Sequence, residues 1–125
     1  MLVSEVMTGN AVYVPATTTL REAAKLMKDR GTGFLPIGDT GQDTLEGVVT
    51  DRDITVRGIA EGMDPSSATV KEVETNRVLY CYQDDPIETA SKSMREQQVY
   101  RLVVLDNKND KRLQGVISLG PVNTK

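Results

Sequence analysis

Val3-Ser4-Glu5-Val6-Met7-Thr8 returns as Val70-Lys71-Glu72-Val73-Glu74-Thr75, a displacement of 67 positions. At that displacement Tyr13 falls on Tyr80, Leu20 on Ile87, Ala23 on Ala90, Met27 on Met94 and Asp39 on Asp106. One residue is then added to the second copy, and Gly47-Val48-Val49-Thr50 lies over Gly115-Val116-Ile117-Ser118. A repeat of this length organises the fold and places a ligand site between equivalent halves. Where the copies differ, function is expected to be asymmetric.

Each copy reads as the same series of elements. Val3 to Met7 is a short helical turn, Gly9-Asn10 a turn, and Ala11 to Val14 a strand ended by Pro15. Leu20, Ala23, Ala24 and Met27 follow the spacing of an amphipathic helix. Thr19 with Glu22 forms a capping-box pattern at its start, with Thr18 as a rival cap, and Gly31 and Gly33 close it. Phe34 to Ile37 and Leu45 to Thr50 are strands, and Asp51 to Glu61 is a helix ended by Gly62 and Asp64-Pro65. In the second copy Val78 to Tyr82 is a strand and Asp85-Pro86 opens a helix carrying Ile87, Ala90 and Met94 on one face. Arg101 to Leu105 and Leu113 to Ser118 are strands, separated by the polar turn Asp106 to Lys111. Only Leu119 to Lys125 remain for the last helix, and Pro121 lies among them. The prediction is an α+β fold of two β-α-β-β-α repeats, 1–66 and 67–125, with the final helix truncated. Met63 to Thr69 is an ordered connector, too short to separate independent domains.

The chain has 125 residues, so each copy alone is near the lower limit for burying a core, and one core shared by both is expected. Hydrophobic residues make up 38%, with one Phe and no Trp, so that core is built from Val, Leu, Ile, Ala and Met. Lys and Arg total 15 against 18 Asp and Glu, a net charge of -3, which argues against a broad nucleic-acid surface. A local basic pocket for one phosphorylated ligand is compatible with it. There is no histidine, which removes the common zinc ligand sets and any histidine-based triad or general base. The single cysteine, Cys81, cannot form an intrachain disulfide, and in an apolar strand it is expected to be buried and inert. No apolar run reaches membrane-span length and residues 1–15 lack a signal pattern, so the expectation is a cytoplasmic protein without a membrane partner.

The duplicated unit opens with Val-x-Glu-Val-Met-Thr and closes with Gly47-Val48-Val49-Thr50-Asp51-Arg52-Asp53-Ile54, followed by Gly58, Glu61-Gly62 and Asp64-Pro65. In this order and spacing it resembles the tandem CBS domain, or Bateman module, and in particular small stand-alone prokaryotic CBS-pair proteins. The resemblance spans the whole chain. It implies two repeats packed with pseudo-twofold symmetry around two clefts that often hold adenosine-containing ligands. It also implies association into a homodimer.

Residues 47–53 run from the end of a strand into the start of a helix, where free amides suit an anion or a ribose. By resemblance, Thr50 contacts phosphate and Asp53 accepts from both ribose hydroxyls, for which two carboxylate oxygens are suited. Thr50-x-x-Asp53 is equally a capping box that satisfies the helix's own amides. By the same resemblance the adenine lies against Asn10 to Val12 (Asn10 and Val12 foremost) and Gly33 to Pro36 (Gly33, Phe34 and Pro36). Pro36, without an N–H, suits a strand position whose donor is not needed. Arg101 opens a strand where relatives often carry His-Arg reaching the phosphates; here Tyr100 replaces the His. A surface ion pair is the other reading of Arg101, and a solvated first-turn arginine the other reading of Arg52. Asp84-Asp85 resembles a paired-carboxylate site, but Asp85 is more simply a helix cap.

In the second copy Ser118 keeps a hydroxyl but Pro121 stands where Asp53 does, and proline accepts nothing from a diol. One competent cleft per chain is therefore expected. The module is read as a non-enzymatic sensor of ATP, ADP or AMP, with S-adenosylmethionine or a dinucleotide behind them. It needs no cofactor and signals to an unknown effector protein or through the dimer. The alternative is a structural dimerisation module with empty clefts. Val116, Ile117, Leu119 and Val122 form an apolar patch that supports dimerisation in either case.

Overall fold

The computed structural model describes residues 1–9, 13–39, 41–42, 44–75 and 80–118. In chain order they form helix α1 (Val3–Val6), strand β1 (Thr8–Gly9), helix α2 (Leu20–Arg30), and strands β2 (Phe34–Asp39) and β3 (Thr44–Thr50). The helical turn α3 (Asp51–Asp53) runs directly into a wider π-helical stretch, Ile54–Ile59, and Val70–Glu72 form a 3-10 turn. Strand β4 (Tyr80–Tyr82), helix α4 (Ile87–Gln97) and strands β5 (Arg101–Leu105) and β6 (Leu113–Ser118) complete the order. Among the described residues no helix is long and apolar enough to cross a membrane.

The chain forms two compact units, Val12–Val78, and Met1–Ala11 together with Leu79–Lys125. The opening of each sequence copy therefore lies in the unit built on the other copy. In the first unit β2 and β3 are antiparallel, with Phe34 opposite Thr50 and Pro36 opposite Val48. Val14 joins β2 in parallel at Ile37, and Thr75, from the opening of the second copy, joins β3 at Val48. In the second unit the order is β1-β6-β5-β4, with β4 parallel to β5. There β1, the opening of the first copy, pairs with β6. Both sheets thus have the same plan.

Gly9 is consequently paired with Gly115 in a strand, not placed in the expected turn. The pairing depends on Gly115, because a Cβ there would collide with the Thr8 carbonyl. Pro36 sits opposite Val48, which exchanges both backbone bonds with Thr75 on its far side, so the β2–β3 pairing asks for no Pro36 N–H.

Where one shared core was expected, the buried side chains form two clusters. One gathers Leu20, Ala23, Met27, Leu35, Ile37, Val49, Val70 and Val73; the other gathers Val3, Cys81, Ala90, Met94, Leu102, Val104 and Ile117. Each sheet is covered by a helix of its own, so each closes a core. α2 starts as read, with Thr19 Oγ1 accepting from the Glu22 amide at 3.1 Å and Glu22 accepting from the Thr19 amide at 3.0 Å. It ends at Gly31 in the left-handed region (φ 67°), and α4 ends the same way at the repeat-equivalent Gln98 (φ 57°). The connector is ordered, with Pro65 and Ala68 carbonyls accepting from the Arg21 and Leu20 amides.

Two local expectations change. Asp85 does not cap α4: its Oδ2 accepts from the Tyr82 amide at 2.9 Å, and the N-cap position is Pro86 without a side-chain bond. The single helix expected over 51–61 is α-helical for one turn only. The Thr55 hydroxyl donates to the Asp51 carbonyl at 3.0 Å, and the Thr55 carbonyl then accepts from Ala60, five residues on. Gly58 lies so close to Leu20 that a Cβ would sit 2.7 Å from Leu20 Cδ1. The wide turn and the close helix contact go together.

Candidate functional site

Strand β3 delivers Thr50 to the start of α3 with extended backbone (φ -116°, ψ 163°), the geometry of an N-cap. Thr50 Oγ1 accepts from the Asp53 amide at 3.0 Å, and Asp53 Oδ2 accepts from the Thr50 amide at 3.0 Å. The capping reading is therefore correct as far as it goes. Asp53 has more around it than a cap needs. It is 8% exposed, the one buried charged residue among those described.

Two groups outside the sequence reading complete its surroundings. The Thr75 hydroxyl donates to Asp53 Oδ2 at 3.0 Å, with Thr75 itself fixed by backbone bonds to Val48 (N–H to carbonyl 2.8 Å). Arg57 Nε lies 3.9 Å from Asp53 Oδ1, an ion-pair distance too long for a hydrogen bond, while its Nη1 donates to the Glu74 carbonyl at 3.1 Å. Oδ2 thus carries two donors. Oδ1 carries none among the described residues.

Glu74, next to Thr75, is unusual in another way. Its Oε2 is buried without a hydrogen-bond partner among the described residues, and lies where a Cβ on Gly47 would be 2.9 Å away. Burial raises its pKa above the ordinary carboxylate value, with Lys71 opposing and Glu46 adding to the rise. In the other unit the repeat-equivalent Met7 places its sulfur against Gly115 in the corresponding place. One copy therefore holds a thioether where the other holds a carboxylate.

Phe34 is directly across from Thr50, and Pro36 is two residues further along β2. Gly33 accepts from the Asp51 amide at 2.9 Å and borders a groove of about 370 Å³ lined also by Met27, Lys28, Asp51 and Thr55. Thr50 and Asp53 do not line that groove. The Arg52 side chain is exposed, as a first-turn arginine commonly is. Arg101 belongs to the other unit, half-buried at the start of β5 opposite Ser118. Asn10, Val12, Leu119, Pro121 and Val122 lie outside the described residues.

Arg57 had a legible signal, since a basic residue four positions after Asp53 lies on the same helical face. Thr75 had none, because its approach depends on the exchange of opening segments between units. Cys81 is buried, and burial together with Asp85 pushes its thiol up to about 12. Among the described residues no three metal-ligating side chains gather.

The sequence profile of the CBS domain matches residues 3–57 and 70–120. Hypoxic response protein 1 of Mycobacterium tuberculosis is 35% identical over 115 residues, covering 91% of this chain and 77% of that protein. The crystal structure of Hypoxic Response Protein I with two coordinated zinc ions superposes with a TM-score of 0.84 at 32% identity, covering 94% of this chain and 92% of that one. The CBS domain protein PAE2072 from Pyrobaculum aerophilum, complexed with AMP, shares the fold with a TM-score of 0.85 at 24% identity over 100% of this chain and 92% of that one. The CBS domain pair of protein MJ0100, in complex with 5-methylthioadenosine and S-adenosyl-L-methionine, does so at 0.80 and 23%, covering 94% and 89%.

Proposed function

Because the chain belongs to the CBS-domain family, we propose that it is a regulatory module binding an adenosine-containing ligand, with an adenine nucleotide foremost, at the junction of β3 and α3. The observation that carries this is Asp53, a buried carboxylate with one oxygen fixed by two donors and the other without a donor among the described residues. A helix that needed only a cap would be served by an exposed residue. The AMP complex of PAE2072 and the S-adenosyl-L-methionine complex of MJ0100 support the ligand class.

In this reading Asp53 takes the ribose and Thr50 with the first α3 amides faces the phosphate. Arg52 and Arg101 supply positive charge, and Asn10, Val12, Gly33, Phe34 and Pro36 border the base. Repeats 1–66 and 67–125 form one module with one competent cleft. Ligand binding shifts the population of module conformations, read by a homodimer partner or a separate effector protein. Such a shift needs the ligand to favour one conformation by its differential affinity alone.

The test is calorimetric titration of ATP, ADP, AMP and S-adenosylmethionine against the wild type and Asp53→Asn, which keeps an acceptor for the Thr50 amide. Binding weakened at least about tenfold in the variant supports the reading, the loss expected for a hydrogen bond to a charged group. Equal binding by both proteins places the site elsewhere. No binding by either favours a structural dimerisation module.

A further inference from the structure

We infer that Thr75 is itself a ligand-binding residue, taking one hydroxyl of the ligand's cis-diol while Asp53 Oδ1 takes the other. This rests on the diol reading of the Thr50–Asp53 site and departs from a division of the diol between the two carboxylate oxygens. The argument is a count of acceptors. A carboxylate oxygen has two lone pairs in its plane, and Oδ2 already accepts from the Thr50 amide and the Thr75 hydroxyl, each at 3.0 Å. An ionised carboxylate only accepts, so the single proton of Thr75 Oγ1 is committed to Oδ2. Thr75 Oγ1 can then meet another hydroxyl only as an acceptor, and no described residue uses its lone pairs. A ligand hydroxyl donating to Oγ1, which donates to Oδ2, forms a chain in which each bond polarises the next.

The second acceptor is Oδ1. Arg57 lies too far from it to fill it, at 3.9 Å, and is held by the Glu74 carbonyl at 3.1 Å. Its charge faces the Asp53 carboxylate without competing for the lone pairs. Glu74 and Thr75 therefore act together on Asp53, one residue restraining the guanidinium and the next orienting the carboxylate. The site so built selects a vicinal diol: ribose is accepted, and a sugar lacking either hydroxyl leaves one buried acceptor unfilled.

The experiment titrates AMP, 2′-deoxy-AMP and 3′-deoxy-AMP into wild type, Thr75→Val and Thr75→Ser, with ribose 5-phosphate and its 2-deoxy form alongside. The wild type is expected to prefer AMP over each deoxy form by about tenfold. Thr75→Val is expected to lose the preference against one deoxy form and keep it against the other. Thr75→Ser, which retains the hydroxyl, is expected to restore both. A merely structural role would weaken all three ligands equally, and that result, or Thr75→Val with both preferences intact, overturns the inference. Ribose 5-phosphate binding with the same pattern while AMP fails to bind would remove the adenosine reading and leave the diol inference standing. Binding of none of the five overturns both.

Discussion

Replacing Glu74 by methionine, the residue its repeat partner Met7 supplies, is expected to stabilise the protein at neutral pH. Glu74 Oε2 is buried without a hydrogen-bond partner among the described residues, and leaving a polar atom in that condition costs about 1–3 kcal/mol. The residue as a whole is half-buried and Lys71 offsets part of the charge, so the lower end of that range is the expected gain, about 1 kcal/mol. For a chain of this size that corresponds to a rise in Tm of about 3–5 °C. The pH dependence has a definite sign. Burial raises the folded-state pKa of Glu74, so in the interval between the unfolded and folded values the folded state binds more protons. Stability contributed by the neutral carboxyl is fully present below the unfolded value and is lost as pH rises through the folded one. Methionine does not titrate. The advantage of Glu74→Met over wild type is therefore largest at neutral pH and closes as pH falls below about 4, the ordinary glutamate value. Urea denaturation of both proteins at about pH 7 and about pH 4 measures it, the other carboxylates cancelling in the difference. A variant no more stable than wild type at neutral pH, or an advantage unchanged on acidification, would refute the account of Glu74 as a penalised carboxylate.

Thr50→Val removes the acceptor for the Asp53 amide and is expected to cost about 1 kcal/mol in denaturant titrations, while Thr50→Ser stays near wild type. Gly58→Ala drives a Cβ to 2.7 Å from Leu20 Cδ1 and, with Leu20 fully buried, is expected to lower stability by about 1 kcal/mol; an unchanged melting temperature would mean that the Leu20 side chain turns aside freely. Cys81, with its thiol pushed up to about 12, is expected to resist an aromatic disulfide reagent at neutral pH and react fully once urea unfolds the chain. Rapid reaction in the native state would place it outside the core.

Short-range chemistry was legible in the sequence, and exchange between distant segments was not. Strands β5 and β6 run as read, Arg101–Leu105 and Leu113–Ser118, because apolar runs there are bounded by the charged turn between them. The Thr19–Glu22 and Thr50–Asp53 capping boxes were visible because both partners lie within one helical turn. Gly9 was read as a turn because glycine commonly marks one, and its real partner, Gly115, is at the other end of the chain. The same remoteness hid half of the candidate site. Arg57 went unread although helical spacing offered it, but Thr75 reaches Asp53, and Glu74 reaches Arg57, only because the opening of the second copy closes the first unit's sheet. Asp85 was misassigned for a local reason: the Tyr82 amide at the strand end offered its carboxylate a donor before the helix did.

That exchange also alters what the divergence of the two copies means. By sequence, the copies differ in opposite senses: the first has Met7 and Asp53, the second Glu74 and Pro121, so each carries one acid and one apolar residue at the paired positions. The fold regroups them. Glu74 and Asp53 fall in the unit Val12–Val78, bridged by Arg57, while Met7 stays in the other unit against Gly115. Backbone devices did not diverge in this way, since Gly31 and Gln98 both adopt the left-handed helix end despite the change of residue. Conformation has been kept in both units, and acidic chemistry has been collected in one. A buried, unpaired carboxylate has no structural advantage where methionine fits the equivalent place. With its carbonyl on Arg57 and its chain neighbour Thr75 on Asp53, Glu74 gives this unit polar chemistry at some cost to the fold, the balance expected of the proposed site.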